Sequence, residues 1–223
     1  MTRNILSLFI ITATCLTLGA CRKYSPVESD THVGISKITY YPIISTNGEY
    51  LIILDQGAAY TDAGATATVN GQPITPVVSG SVNTAVPAVY NLTYTATNDD
   101  GFSATDWRTV VVIGNDVASN DYSGSYARDV NGLLSTWTKT AKGVYNVDNP
   151  GGAGVGFGYV IKVVNYTGSK IAIPKQYATD PDGVVGIVSG ASETYNATAT
   201  PPKYSWSFLA GGYGTQVRNF VKQ

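Results

Sequence analysis

The chain has 223 residues, a formal net charge of −1, 13% charged residues, one histidine and two cysteines, whereas 16 Tyr, 3 Trp and 5 Phe make it rich in aromatics. Charge this sparse and balanced argues against nucleic-acid binding, which needs clustered Lys and Arg to displace phosphate counterions. A single histidine argues against Ser-His-Asp and two-histidine metal chemistry, so any catalysis would rest on carboxylates, Lys, Tyr or a bound metal.

The chain starts with Arg3, an apolar run from Ile5 to Leu18, and then Leu18-Gly19-Ala20-Cys21. This reads as a bacterial lipoprotein signal peptide over residues 1–20, with Cys21 receiving a diacylglyceryl thioether and fatty acyl chains such as palmitate. The run falls short of the roughly 20 residues of a spanning helix and is interrupted by Thr12, Thr14 and Thr17. Cys15 leaves with the signal, so the mature chain of about 200 residues has no disulfide and its core must supply stability alone. Residues 21–37 read as a tether, polar from Arg22 to Thr31, and His32 lies within it rather than in a rigid site. Arg22, where an Asp would signal inner-membrane retention, favours the outer membrane, while Glu28 and Asp30 give only a sparse acidic signal near the anchor and leave both a periplasmic and an extracellular face open.

Residues 38–114 alternate β-branched or aromatic residues with polar ones between Gly, Pro and Asn punctuation, which predicts short antiparallel strands. Strands are expected over Tyr50 to Leu54, Thr66 to Val69, Ala88 to Thr97 and Trp107 to Ile113, with turns at Asn70-Gly71 and at Asn98 to Gly101. Tyr90, Leu92, Tyr94 and Ala96 share one face, expected to be the core side of a sandwich. In this stretch six acids stand against Arg108 alone, net −5, while from Asn115 onward nine bases stand against seven acids, net +2. That change of sign supports two domains.

Asp55 to Ala67, then Ser79-Gly80-Ser81-Val82-Asn83-Thr84, then Tyr90 to Asn98 with Gly101, and finally Thr109 to Val112 together resemble the bacterial Ig-like domain first named from a pesticidal crystal protein. The resemblance implies an Ig-type β-sandwich over about a third of the chain. Where members of that family often carry an Asp-rich turn, this chain has Val69-Asn70-Gly71-Gln72, which weakens any inference of calcium.

A small, polar joint covers 115–121, and a second β domain is expected over 122–223. Its strands are expected at Gly124 to Asp129, Ser135 to Thr140, Gly143 to Val147, Tyr159 to Tyr166, Lys170 to Ile173, Val184 to Ser189, Lys203 to Leu209 and Gln216 to Val221, forming an antiparallel sandwich or small barrel. Trp206 shares a face with Tyr204 and Phe208, the pattern of a buried strand face. Gly151 to Gly158 lacks the spacing and following helix of a phosphate loop and reads as a glycine-rich edge, though glycine does let backbone approach a ligand closely. Ser123 to Arg128, Lys142 to Tyr145 and Asn149 to Gly152 are similar to C-terminal domains of uncharacterised function in lipoproteins that accompany starch-utilisation-type outer-membrane systems.

That second resemblance, with the aromatic surplus, points to an extracellular polysaccharide or oligosaccharide as ligand, because flat amphipathic rings stack on sugar C–H faces. Tyr177, Tyr195 and Tyr213, read as lying in turns or glycine-rich stretches, and Trp137 are the candidate ligand-binding residues. Hydrolysis would need two carboxylates across a cleft, yet the second domain has Glu193 alone and Asp residues in turn-like sequences such as Asp180-Pro181-Asp182-Gly183. The expectation is an all-β, non-enzymatic, lipid-anchored outer-membrane protein without cofactor or metal, its Ig-like domain a spacer for a glycan-binding domain. A structural or adhesive module contacting an outer-membrane transporter or partner lipoprotein is the alternative, and a carboxylate-dependent glycoside hydrolase the third reading.

Overall fold

The computed structural model describes residues 32–33, 36–154 and 158–223. The signal segment, Cys21 and the polar start of the tether lie outside the described residues. The chain divides into two units between Tyr40 and Tyr41. In the first, β1 (His32–Val33) and β2 (Ser36–Lys37) pair antiparallel.

Among its described residues the second unit, Tyr41–Gln223, is all-β apart from one turn of 3-10 helix at Asn115–Val117. Its N-terminal part is a sandwich. One layer holds β3 (Ile43–Thr46), β5 (Ala65–Val69) and β6 (Gln72–Ile74) in the order β3-β5-β6. The other holds β4 (Leu51–Asp55), β7 (Val77–Ser79), β8 (Ala88–Thr97) and β9 (Ser103–Ile113) in the order β4-β9-β8-β7. Every pairing is antiparallel except β4 with β9, which runs parallel from Leu51↔Thr109 to Asp55↔Ile113. The β5–β6 connection is the expected two-residue turn: Asn70 and Gly71 both adopt positive φ, 48° and 73°, which matches the twist of a tight hairpin. Leu92, Tyr94 and Ala96 face the sandwich core and are buried, with Tyr90 half-buried at the end of the row.

That core also contains a charge. Arg108, the one cation of this acidic stretch, is 1% exposed and pairs with Asp62, while Nε donates to the Glu49 carbonyl and Nη2 to the Asn47 carbonyl. The Tyr60 and Tyr94 hydroxyls also donate to Asp62 Oδ1, so the buried guanidinium and its half-buried carboxylate are both hydrogen-bonded.

The remaining strands form one nine-stranded antiparallel sheet. They are β10 (Gly124–Arg128), β11 (Leu134–Ala141), β12 (Val144–Asp148), β13 (Val160–Thr167), β14 (Lys170–Ala172), β15 (Gln176–Thr179), β16 (Val185–Asn196), β17 (Lys203–Leu209) and β18 (Val217–Lys222). The order is β14-β13-β12-β11-β10-β18-β17-β16-β15. The sheet curls around Tyr126, Trp137, Tyr145, Tyr204, Trp206, Phe208 and Phe220, all fully buried. Tyr204, Trp206 and Phe208 thus occupy the inner face that their spacing predicts.

Curling brings the two edges of this sheet together, and side chains close the gap. The Gln176 carboxamide accepts the Lys162 N–H (2.9 Å) and donates to the Lys162 carbonyl (2.7 Å), reproducing the two bonds of a strand neighbour. Next to it the Gly190 N–H donates to the Ile173 carbonyl (2.9 Å) and the Ile173 N–H to Glu193 Oε1 (3.0 Å).

The sandwich and the curled sheet are packed against each other. Val110 to Ile113 is buried on both faces: Val110 and Val112 point into the sandwich, while Val111 and Ile113 meet Val117, Val144 and Val164. Leu51, Ile53, Val89 and Tyr166 extend this apolar seam. Lys142 crosses it to Asp55 at 2.6 Å, and Val117, in the polar stretch after Ile113, is fully buried within it.

Candidate ligand-binding cleft

Beside the seam the two sheets diverge, leaving a cleft of ≈ 540 Å³. One wall is the outer face of β8 and β9, where strand alternation turns Leu92 and Arg108 inward and Asn91, Thr93 and Trp107 outward. The other wall is built by Ile173 to Lys175, after β14, and by Ser189, Gly190 and Glu193 of β16.

Glu193 reaches the cleft because β16 carries a bulge. The pairing with β17 shifts by one residue between Ala191 and Thr194, and Ser192 takes φ 57°, a left-handed conformation uncommon for a side chain of this kind. The bulge re-aims Glu193 toward the Ile173 N–H, and Gly190 leaves the space: a Cβ there would lie 2.3 Å from Glu193 Oε1 and 2.8 Å from Ile173 Cβ.

At the mouth three aromatic rings form a patch. Trp107 lies 5.0 Å from Tyr50 and 5.8 Å from Tyr177 between centroids, and Tyr50 and Tyr177 meet edge-on at 4.9 Å. Tyr177 is 46% exposed, and the Lys175 ammonium sits 4.3 Å from the centre of the Trp107 ring. Asp106 anchors the patch by accepting from the Thr46 N–H (2.7 Å), the Tyr50 hydroxyl (2.8 Å) and the Trp107 N–H (2.9 Å). Burial alone would raise the Asp106 carboxyl, but these hydrogen bonds outweigh it and hold the group below its ordinary value. Burial, aided by the bond to Asp106, raises the Tyr50 phenol. Burial likewise lowers the Lys175 ammonium against the opposing pull of Asp106, and raises the Tyr166 phenol with Glu193 adding to it.

Of the four aromatics expected to meet a ligand, only Tyr177 stands here, and on strand β15 rather than in a turn. Trp137 is 1% exposed on β11 and Tyr195 is 7% exposed on β16, stacked at 3.8 Å on Tyr122, so both serve the core of the curled sheet. Tyr213 does lie in a turn, half-buried and edge-on to Phe208 at 4.9 Å. Sequence reading missed Tyr50, Trp107, Lys175 and Asn91. The available signal was that Trp107 alternates with Arg108 on a strand whose other face is the core.

Comparison with known proteins bears on the sandwich. Residues 44–112 match the model of the bacterial surface protein Ig-like domain. An Ig-like domain of the bacterial surface type is therefore present, from within β3 to near the end of β9. No curated protein matches the chain. Among solved structures, a lipoprotein from Bacteroides thetaiotaomicron is similar at 24% identity and TM-score 0.38, over 82% of this chain and 100% of its own. The M60 catalytic domain with the CBM51-1 and CBM51-2 domains of Clostridium perfringens ZmpB is similar at 14% identity and TM-score 0.31, over 84% of this chain and 23% of its own. At these scores neither likeness assigns a function.

Proposed function

We propose that this is a non-enzymatic, lipid-anchored protein of the bacterial outer membrane, displayed at the cell surface, which binds a polysaccharide or oligosaccharide in the cleft beside the seam. The observation that carries the reading is the Tyr50–Trp107–Tyr177 patch at the mouth of a cleft lined by polar groups. Rings of this kind offer apolar faces to a pyranose while Asn91, Thr93, Lys175, Ser189 and Glu193 offer donors and acceptors to its hydroxyls. The Ig-like domain is then more than a spacer, since it supplies Tyr50, Asn91 and Trp107.

Binding without turnover is supported by the carboxylates. Glycoside hydrolysis uses two acids about 5 to 10 Å apart, whereas among the described residues Glu193 is the one carboxylate lining the cleft and the Asp106 oxygens are engaged by Thr46, Tyr50 and Trp107. A glycan array and affinity electrophoresis with the lipid-free chain from Arg22 test the reading. Trp107→Ala and Tyr177→Ala are expected to weaken binding about tenfold each, in line with the roughly 0.5–1.5 kcal/mol of an aromatic contact plus its buried area. Binding unchanged in both variants, or absent for every plant, host and microbial glycan, would reject it.

A protein partner is the second reading, favoured by β7. This edge strand exposes Val77 and Val78, the kind of unpaired apolar edge that pairs with another chain. A stable transporter or lipoprotein partner recovered from solubilised outer membrane, lost in Val78→Lys, would support it.

A further inference from the structure

Away from the cleft, β10 and β18 carry two arginines with no carboxylate partner among the described residues, although the Arg218 guanidinium lies 5.4 Å from the centre of the Tyr213 ring. Arg128 pairs across from Phe220, and Arg218 precedes Phe220 by two residues, so the two arginines are diagonal neighbours on the inner face of the curled sheet. Arg218 is 8% exposed and Arg128 half-buried. Neither forms a salt bridge among the described residues.

The turns before β13 and β18 close over them. Arg128 Nη1 donates to the Gly151 and Gly152 carbonyls at 3.4 and 3.3 Å, and Arg218 Nη1 to the Gly214 and Gln216 carbonyls at 3.4 and 3.1 Å. The glycine-rich stretch permits this approach, since a Cβ on Gly152 would come within 2.7 Å of Arg128 Cδ. The four carbonyls engage one nitrogen of each guanidinium. Nε of both is buried with no partner.

A buried cation is ordinarily paired, and a guanidinium is built to hold planar pairs of oxygens. Here two neighbouring cations, one buried and one half-buried, each keep a buried Nε donor unused. Burial, and then the neighbouring Arg128 charge, lower the Arg218 pKa against the opposing pull of Tyr213.

We propose that Arg128 and Arg218 form a binding site for an oxyanion, the sulfate, phosphate or carboxylate group of a ligand, beneath the 149–154 turn. The site is independent of the aromatic cleft. An oxyanion bridging the two forks would take up the unused donors and remove the repulsion between the guanidinium groups.

The test is equilibrium dialysis of the whole lipid-free chain with radiolabelled sulfate and phosphate at constant ionic strength, with galactose 6-sulfate and glucuronate as competitors. Expected is one site per chain with a Kd in or below about the millimolar range, weakened at least about tenfold in Arg218→Met and in Arg128→Met. Competition by the sugar acids at lower concentration than inorganic sulfate would identify a saccharide source, and the reverse order a free ion. Thermal unfolding supplies the second readout. Sulfate stabilises proteins generally, so only stabilisation exceeding that of both variants counts. Without added oxyanion, Arg218→Met should melt no lower than the wild type, because it removes one of two neighbouring like charges and keeps a side chain of similar length against the Tyr213 ring. Absence of dialysable binding, binding retained in both variants, or loss of stability in Arg218→Met that oxyanions do not affect in the wild type would each overturn the proposal.

Discussion

Asp106 is a small residue with three obligations: it holds the β3 backbone through Thr46, the Tyr50 ring through its hydroxyl, and its own strand through the Trp107 N–H. Because its pKa is depressed in the folded protein, its contribution to stability is complete above the unfolded value near 4 and is lost as pH falls through the lower folded value. Urea midpoints measured from neutral pH down to about 3 should therefore show the wild type losing its advantage over Asp106→Asn as acid is added. A difference between the two proteins that stays constant with pH would mean that the carboxylate charge is not what matters. Arg108 makes a related point about what sequence can reveal. Its charge was legible as the lone cation of an acidic stretch, but its burial was not, because the partners Asp62, Asn47 and Glu49 are more than 40 residues away along the chain.

Strands whose two faces differ in polarity were the legible elements. Ala88–Thr97 and Lys203–Leu209 were read to the residue, because each alternates cleanly and is bounded by turn residues. Ile43–Thr46, Gln72–Ile74, Val77–Ser79 and Gln176–Thr179 were not read as strands, being short and carrying little alternation. The last matters most, because β15 places both Tyr177 at the cleft and Gln176 at the closure of the curled sheet. Loss of the carboxamide in Gln176→Ala would leave the Lys162 N–H and carbonyl without their partner. The expected cost is about 1–3 kcal/mol, with faster amide exchange confined to Lys162 and its neighbours on β13. Exchange spread uniformly over the sheet would instead point to global destabilisation. The bulge that turns Glu193 into the cleft was equally hidden, since nothing in Gly190-Ala191-Ser192-Glu193 marks which residue takes the extra place.

At the scale of the whole molecule, the seam decides how the two β structures behave together. Val111, Ile113, Val117, Val144 and Val164 form one apolar cluster shared by both, so the unit from Tyr41 to Gln223 is expected to unfold in a single calorimetric transition. Val117→Asp buries an unpaired carboxylate there and should cost about 3 kcal/mol or more, splitting the transition in two. A single transition shifted only in midpoint would show that other contacts suffice to couple the halves. The all-β class was legible throughout, whereas the cleft was not, because it exists only where two separately folded faces meet. The parallel pairing of β4 with β9 carries a mechanical consequence. Tension applied between the chain before Leu51 and the chain after Ile113 pulls these neighbours in opposite directions along their length, loading the bonds across all five paired positions in shear. An antiparallel pair held the same way would peel open one rung at a time. The Ig-like sandwich is thus clamped along the line of pull, and a load passing through it meets resistance that yields abruptly rather than by gradual unravelling.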